Sequence, residues 1–358
     1  MPKHGPNCRI LFITCLDEPR MNIIADSTLP NLVELFPKPF KISTYQSQEA
    51  LSKMLPFVDV LICRSTLQVD ATLLANSHIQ CVATASSGID HIDSPYLNSH
   101  HIKLFDAKGS NANAVTDYVT ATLAWLEQNH ILTGNKAGVI GAGEVGSHVI
   151  ERLRLTGYDV CCFDPYKDPV SIEINQLKFE ALLDCDLLCI HANLHQEMPW
   201  PSLNLINADV MSKLKPGVTI INASRGGIVN ETDLLTTKTK IHYCTDVYSG
   251  EPNINPDIID FATLCTPHIA GHSIEAKLNA MTLLSTQLHH YLGLQAIALK
   301  PSETKKWELN LKNPWHTDVL HRYNPHDDTA KLKNSAHKKE TFLTLRKAHT
   351  FRHDFSCV

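Results

Sequence analysis

Long apolar runs, paired cysteine motifs and a strong excess of one charge are all missing from this 358-residue sequence. No run approaches the roughly 20 apolar residues that a membrane-spanning helix needs, and residues 1–15 contain no apolar segment of the length found in secretory signals. A formal charge of −5 gives no general attraction to nucleic acid or to anionic membranes. We therefore expect a cytoplasmic protein whose partners include neither nucleic acid nor membrane.

The 11 cysteines are scattered, with no C-x-x-C motif and no spacing typical of a zinc site. This pattern favours reduced thiols over a disulfide framework, and it predicts no metal site. With 43% hydrophobic and 19% charged residues, the chain has the composition of an ordinary globular protein and the length for two or three domains.

A glycine-rich segment, VIGAGEVG at residues 139–146, is the strongest motif in the chain. An apolar run at residues 137–140 precedes it, helical spacing of apolar residues follows, and a second apolar run at residues 158–163 ends on Asp164. This order is typical of a dinucleotide site, in which the helix N-terminus binds the pyrophosphate and the acid binds the adenosine ribose. Because a carboxylate repels a 2′-phosphate, Asp164 favours NAD over NADP. The predicted cofactor contacts here are Gly141, Gly143, Glu144, Val145, Gly146 and Asp164.

Strands and helices alternate along most of the chain, which indicates parallel α/β domains. Apolar runs predict strands at residues 9–14, 41–45, 59–63, 81–85, 137–140, 158–163, 186–191, 218–222, 241–245 and 263–266. Helices are predicted near residues 29–36, 114–128, 207–213 and 274–292, with Asn113 as the N-cap of the second. Ligands bind beyond the carboxyl ends of such strands, so Arg64, Ser65, Ser86 and Gly88 are candidate contacts, although small polar residues there also simply form turns.

Later strand ends carry residues suited to oxidising a 2-hydroxy acid. His268 is the right type of base for the hydroxyl proton, because imidazole titrates near neutrality. Glu251, in the loop after Asp246, is suited to fix the tautomer of that imidazole, and the planar guanidinium of Arg225 is suited to bind a carboxylate. Taken singly, an Arg after a strand is usually a surface residue and a His after a Pro a turn residue. Together on one NAD domain they predict a dehydrogenase site.

The same segments resemble a known family. NASRGGIVN from Asn222 to Asn230, DVYSGEP from Asp246 to Pro252 and PHIAG from Pro267 to Gly271 are similar to the signatures of D-isomer-specific 2-hydroxyacid dehydrogenases. The likeness covers nearly the whole chain, and residues 300–358 resemble a C-terminal dimerisation domain that only one branch of the family carries.

The resemblance implies an NAD-dependent enzyme that oxidises a small phosphorylated 2-hydroxy acid and forms a homodimer. It implies that His268 is the proton donor and acceptor, Glu251 its partner and Arg225 the carboxylate-binding residue. The resemblance also implies that Asp164, Asp246 and the backbone at Gly271 contact NAD. Asp246 would do so through the nicotinamide carboxamide. The residues implied to contact substrate are Ser65, Ser86 and His272.

The sequence departs from the pattern of that branch in three ways. His272 stands where a substrate-binding Tyr is common, which puts that contact in doubt. Ala192 and Asn193 replace a Thr-Pro pair, and Asp117 replaces a Glu. None of these changes touches the Arg, Glu and His named above, so we expect an active enzyme with altered affinities.

The predicted fold class is therefore α/β, with two doubly wound parallel-sheet domains of Rossmann-like and flavodoxin-like type and a small C-terminal α+β dimerisation unit. The expected boundaries are 1–112 with 275–299 for the substrate domain, 113–274 for the NAD-binding Rossmann domain and 300–358 for the dimerisation unit. Residues 300–358 carry 12 Lys and Arg against 7 Asp and Glu, which leaves a disordered basic tail as an alternative. Two functional alternatives also stay open: another D-2-hydroxyacid dehydrogenase, such as one acting on 3-phosphoglycerate, and a non-enzymatic NAD-sensing protein.

Overall fold

The computed structural model of the chain describes residues 21–167, 178–297, 307–310, 314–349 and 352–357. The chain divides into two compact units, one from Met1–Ala107 with Ala280–Lys300 and one from Lys108–Asn279 with Pro301–Val358. Each unit is built on a parallel sheet, which confirms the predicted α/β fold class. The strand predicted at residues 9–14 lies outside the described residues.

The first unit has a five-stranded parallel sheet in the order β2-β1-β3-β4-β5. Its elements are β1 Asn22–Asp26, α1 Leu32–Leu35, β2 Lys41–Tyr45, α2 Gln48–Met54, a 3-10 turn Leu55–Phe57, β3 Val60–Cys63, α3 Ala71–Leu74, β4 Cys81–Thr84, α4 Ser94–Ser99 and β5 Lys103–Asp106. All residues of β3 and β4 are buried, because central parallel strands are covered on both faces. The carboxyl ends of these two adjacent strands therefore lie side by side.

The second unit has a six-stranded parallel sheet in the order β11-β10-β9-β8-β6-β7. Its elements up to the last strand are α5 Ala112–Gln128, β6 Lys136–Ile140, α6 Glu144–Leu155, β7 Asp159–Phe163, a 3-10 turn Phe179–Asp184, β8 Leu187–Ile190, α7 Ala208–Lys213, β9 Val218–Asn222, α8 Glu231–Thr236, β10 Ile241–Thr245, α9 Pro256–Phe261 and β11 Leu264–Cys265. The strand order reverses between β6 and β8, and dinucleotides bind at such a switch point.

The long helix α5 begins two residues before its predicted start. Its N-cap position is Asn111, whose side chain makes no capping hydrogen bond, so the prediction of Asn113 as N-cap was wrong. Asn113 is instead an exposed residue inside the first turn. Nearly all of the following residues of α5 are buried, because the helix lies within the core of the second unit.

Helix α10, Ile274–Tyr291, passes from the second unit into the first. Its residues Met281, Leu284 and Leu288 are completely buried and belong to the core of the first unit. Spacing of three and four residues places them on one helical face.

The described part of residues 300–358 is folded and belongs to the second unit, so the alternative of a disordered basic tail was wrong for these residues. It contains β12 Trp307–Leu309, α11 Trp315–Arg322, α12 Pro325–Lys333, α13 Lys338–Ala348 and β13 Phe355–Cys357, with β12 and β13 paired in parallel. Helix α11 packs in the same core as α5 through the buried residues Trp315 and Val319 and through Tyr323, which directly follows the helix. Phe342 of α13 is buried in the core on the other face of the sheet. The role of this segment in dimerisation remains a prediction.

Within the described residues no helix has both the length and the apolar character needed to cross a bilayer. Over the same residues, no cluster of three His, Cys, Asp or Glu side chains is arranged to hold a metal ion. The free thiols are Cys63, Cys81, Cys161, Cys162, Cys185, Cys189, Cys244 and Cys265.

Candidate active site

The glycine turn between β6 and α6 leaves open space beside Gly143. Gly141 has φ +87°, a left-handed conformation that other residues rarely adopt. A Cβ atom on Gly146 would lie 1.9 Å from the carbonyl oxygen of Gly141, so only glycine lets the helix approach the strand this closely. A Cβ atom on Gly143 would meet nothing within 4 Å. Because the first N–H groups of α6, at Glu144 and Val145, have no carbonyl partner within a helix, this turn fits the pyrophosphate of a dinucleotide.

Asp164 follows β7 and binds the glycine turn itself. Its Oδ2 accepts a hydrogen bond from the backbone N–H of Ala142 at 2.8 Å, and its Oδ1 accepts one from Tyr166 at 3.1 Å. These two hydrogen bonds fix the acid beside the turn, and a carboxylate is the kind of acceptor that ribose hydroxyls require. Its contact with NAD remains a prediction.

Asp246 lies at the end of β10 and holds the segment that follows β11. Its carboxylate accepts hydrogen bonds from the hydroxyl of Thr266 at 2.7 Å and from the backbone N–H groups of Ile269 and Ala270, both at 2.8 Å. Burial raises the pKa of Asp246, although His268 and these donors act in the opposite direction. Asp246 thus organises the backbone next to His268, and its contact with the nicotinamide carboxamide remains a prediction.

His268 and Glu251 form a hydrogen-bonded pair. The Nδ1 atom of His268 lies 2.6 Å from Oε2 of Glu251, whose Oε1 accepts the backbone N–H of Tyr248 at 2.9 Å. Burial alone would raise the pKa of Glu251, but His268, the two hydrogen bonds and Arg346 together lower it, so the carboxylate is ionised at neutral pH. With Nδ1 engaged, Nε2 is the imidazole nitrogen left to exchange a proton.

The backbone of His268 is strained. Its φ of +56° lies in the left-handed region, where a non-glycine residue costs about 1 to 2 kcal/mol. The hydrogen bonds of Asp246 to the two following residues and the bond to Glu251 hold this conformation. The left-handed backbone at His268, held by these hydrogen bonds, thus brings the imidazole next to the carboxylate of Glu251.

Arg225 lies in the loop after β9, and this loop packs directly on the segment that carries Glu251. The side-chain amide of Asn222 donates to the carbonyl of Arg225 at 3.0 Å, and Arg225 Nη1 donates to the carbonyl of Ser224 at 2.8 Å. A Cβ atom on Gly226 would lie 2.0 Å from the carbonyl oxygen of Tyr248, so the two backbones nearly touch and only glycine fits. The loops of the predicted arginine and glutamate are thus adjacent.

His272 follows His268 by four residues and is a neutral imidazole. Burial lowers its pKa well below the ordinary value, and the nearby His349, His268, Arg346 and Arg352 lower it further. Its ring lies 5.9 Å from that of His349. A neutral ring can offer a hydrogen bond to a substrate but not a full positive charge, and the contact of His272 with substrate remains a prediction.

In the first unit, the predicted contacts Ser65 and Ser86 lie next to each other at the ends of β3 and β4. The hydroxyl of Ser86 accepts the backbone N–H of Ser65 at 3.0 Å. Arg64 is paired with Asp26, with 3.0 Å between Nε and Oδ2, and Asp26 is the buried last residue of β1. Asp26 was missed by sequence reasoning, because β1 itself was not predicted.

Two arginines near the end of the chain were also missed. Arg346 Nη1 lies 3.3 Å from Oε2 of Glu251. Arg352 is buried and donates through Nη2 to the carbonyls of Ala114 at 2.9 Å and Ala270 at 2.5 Å. Both partners are distant in sequence, so no local pattern marks either arginine.

The fold and the site define a class: a dehydrogenase with a parallel dinucleotide-binding domain and a histidine–carboxylate pair at its strand ends. A family model described as "D-isomer specific 2-hydroxyacid dehydrogenase, NAD binding domain" matches residues 112–270. The chain is similar to an erythronate-4-phosphate dehydrogenase of Legionella pneumophila, with 49% identity over 94% of this chain and 96% of that protein. It is also similar to an erythronate-4-phosphate dehydrogenase of Saccharophagus degradans, with 33% identity over 94% of this chain and 93% of that protein.

Among solved structures, the NAD⁺-bound 3-phosphoglycerate dehydrogenase of Entamoeba histolytica has the same fold, with a TM-score of 0.66 and 20% identity over 79% of this chain and 98% of that one. The chain belongs to the D-isomer-specific 2-hydroxyacid dehydrogenase family. It is an NAD-dependent 2-hydroxyacid dehydrogenase, which confirms the enzyme class and the cofactor predicted from the sequence.

Proposed function

We propose that the chain oxidises 4-phospho-D-erythronate to 3-hydroxy-2-oxo-4-phosphooxybutanoate with NAD, a step of pyridoxal 5′-phosphate biosynthesis. The similarity to relatives named erythronate-4-phosphate dehydrogenase, over nearly the full length of both chains, supports this substrate. The bond between His268 and Glu251, at 2.6 Å, is the observation that supports the chemistry.

In the proposed reaction His268 acts as the base. Its Nε2 atom takes the proton of the C2 hydroxyl group while Glu251 stabilises the imidazolium that forms. The guanidinium of Arg225 binds the C1 carboxylate and polarises the new carbonyl group, because a planar cation matches a carboxylate in bidentate fashion. When NAD is bound, its nicotinamide ring supplies the hydride acceptor, so the alcohol is oxidised as the cofactor is reduced.

We assign the cofactor to the second unit and the substrate contacts of Ser65 and Ser86 to the first. Gly141, Gly143 and Gly146 with the first N–H groups of α6 would hold the pyrophosphate. Asp164 would bind the ribose, and Asp246 and Gly271 would line the nicotinamide end. The distal phosphate of the substrate needs cationic or hydroxyl donors, for which Arg64, Ser65, Ser86 and His272 are the candidates. We further propose a homodimer, which sedimentation of the full chain would test.

Turnover with a panel of acids tests the substrate. NADH formation is measured with 4-phospho-D-erythronate, 3-phosphoglycerate, D-glycerate and D-lactate at equal concentrations. We expect kcat/KM for the first acid to exceed the others by about 100-fold or more, because an acid that is shorter or lacks the phosphate leaves the phosphate-binding groups unpaired. Equal rates on all four acids would refute the proposed substrate. A preference for 3-phosphoglycerate would instead identify the chain as a dehydrogenase that acts on 3-phosphoglycerate.

A further inference from the structure

A guanidinium from the C-terminal helices shares the carboxylate of the His–Glu pair. Arg346 of α13 lies 3.3 Å, through Nη1, from Oε2 of Glu251. The same oxygen accepts the hydrogen bond from Nδ1 of His268 at 2.6 Å. Both Arg346 and Glu251 are largely buried, with side chains 23% and 18% exposed, so solvent screens this pair less than a surface ion pair.

We propose that Arg346 is a positioning residue of the dehydrogenase: it fixes the Glu251 carboxylate and offsets part of its charge, and thereby sets the orientation and the basicity of His268. The proposal rests on the proposed function, in which His268 is the base. Every oxygen of Glu251 then has a defined donor, since Oε1 is held by the backbone of Tyr248 and Oε2 by His268 and Arg346.

Packing fixes α13 to the Glu251 segment. Phe342 lies four residues before Arg346 and so on the same face of the helix. It is completely buried, and its ring meets the ring of Tyr248 edge-on with centroids 5.5 Å apart. Tyr248 is also the residue whose N–H binds Glu251. The helix, the tyrosine and the carboxylate therefore form one packed group.

The charges around the pair decide the sign of the expected effect. The charged groups that act on Glu251 and its histidine are Arg346 from α13, Asp246 from the end of β10 and Glu231 from α8, and the neutral His272 lies nearby, just before α10. Of these, Arg346 is the cation that touches the carboxylate. It stabilises the ionised carboxylate but weakens the field that the carboxylate exerts on the imidazolium. Removing Arg346 should therefore favour protonation of His268, so that its basic form is reached only at higher pH.

Three variants test the proposal in the full-length chain with 4-phospho-D-erythronate and NAD. Arg346→Met removes the guanidinium, Arg346→Lys keeps a charge without the planar fork, and Lys347→Met is the matched control. Lys347 is the exposed neighbour on the same helix, so its replacement removes the same charge without touching the pair. The readouts are kcat, KM for NAD, the acid limb of kcat/KM against pH, NADH affinity and the melting temperature.

For Arg346→Met we expect kcat to fall about tenfold, because a misplaced base loses near-attack geometry. The acid limb should move up by about 0.5 pH unit, a partial shift because the pair is not fully shielded from solvent. KM for NAD should stay within about twofold. The lysine variant should restore the acid limb but only part of kcat, and the control should behave as wild type.

The proposal is overturned if Arg346→Met matches Lys347→Met in kcat and acid limb. It is equally overturned if kcat falls only together with the melting temperature and NADH affinity while the acid limb stays in place, since that marks a merely structural residue. If the wild-type chain is inactive on every acid tested, the proposed function itself is refuted. Failure of the proposed function can therefore be distinguished from failure of the Arg346 proposal.

Discussion

Arg352 holds the backbone beside the candidate base, His268, because its Nη2 atom donates a hydrogen bond to the carbonyl of Ala270. Ala270 lies two residues after His268 and 82 residues before Arg352 in the sequence. The guanidinium also lies over the ring of Tyr323, 4.5 Å from the centroid. The segment that carries the base is thus held from one side by Asp246 and from the other by Arg352.

Arg352→Met should destabilise the second unit. The change leaves the carbonyls of Ala114 and Ala270 without their buried donor, and each such loss costs about 1 to 3 kcal/mol. We expect the free energy of unfolding to fall by about 3 kcal/mol in urea titration. Lys347→Met, at an exposed site, should leave it unchanged, and equal stability of both variants would contradict this prediction.

His268→Asn should abolish turnover and spare the cofactor. Loss of a general base costs about 10²- to 10⁴-fold in kcat, while the glycine turn is untouched. NADH affinity, followed by fluorescence titration, should remain within about twofold of wild type. Residual kcat above about one tenth of wild type would show that another group takes the proton.

Glu251→Gln should lower kcat by about 10- to 100-fold. It should also move the acid limb of kcat/KM to lower pH, because removal of the negative charge disfavours the imidazolium. This direction is opposite to that expected for Arg346→Met, so the two variants check each other. A limb that moves upward in Glu251→Gln would contradict the electrostatic account.

Two alanine substitutions in the glycine turn should affect different properties, namely the affinity for NAD at Gly143 and the melting temperature at Gly146. At Gly143 a Cβ meets nothing within 4 Å and φ is negative, so Gly143→Ala should fold normally but obstruct the pyrophosphate. We expect KM for NAD to rise about tenfold or more without loss of melting temperature. At Gly146 the added Cβ collides with the carbonyl of Gly141, so Gly146→Ala should lower the melting temperature itself. Similar melting curves for the two variants would refute this contrast.

Stability should decrease as the pH falls below neutrality. Burial, with Arg352 and Lys331 nearby, lowers the pKa of His349 to about 4 from its ordinary value near 6.5. The unfolded chain therefore binds this proton at a pH where the folded chain does not, so the stabilisation is complete above about pH 6.5 and is lost as the pH falls toward 4. In urea titrations over this window, His349→Gln should show a smaller slope of unfolding free energy against pH. An unchanged slope would count against a neutral His349.

The sequence predicted most strands of both sheets, because central parallel strands are continuous apolar runs. β9, Val218–Asn222, and β10, Ile241–Thr245, have the bounds predicted. β5, KLFD, was missed because an edge strand needs apolar residues on only one face and its alternation is too short to recognise. The position of Asn113 was wrong because Asn residues at 111 and 113 compete as caps, and only the packing of α5 decides between them.

For the candidate site, local patterns identified the glycine turn, Glu251 and His268, since each follows a predictable strand. The pairing of the last two is observed. Asp26, Arg346 and Arg352 act through partners 38, 95 and 82 residues away, respectively, and such partners are set by tertiary packing. Whether the other predicted residues bind NAD or substrate remains a prediction.

The contacts of Arg346 and Arg352 have a consequence for biosynthesis of the enzyme. Both arginines follow every strand of the two large sheets in the order of translation. A ribosome that has completed those sheets has still not supplied the donors to Glu251 and Ala270. The nascent polypeptide therefore completes both large sheets before Arg346 and Arg352 can contact Glu251 and Ala270, and we expect full turnover only after residue 352 has been synthesised.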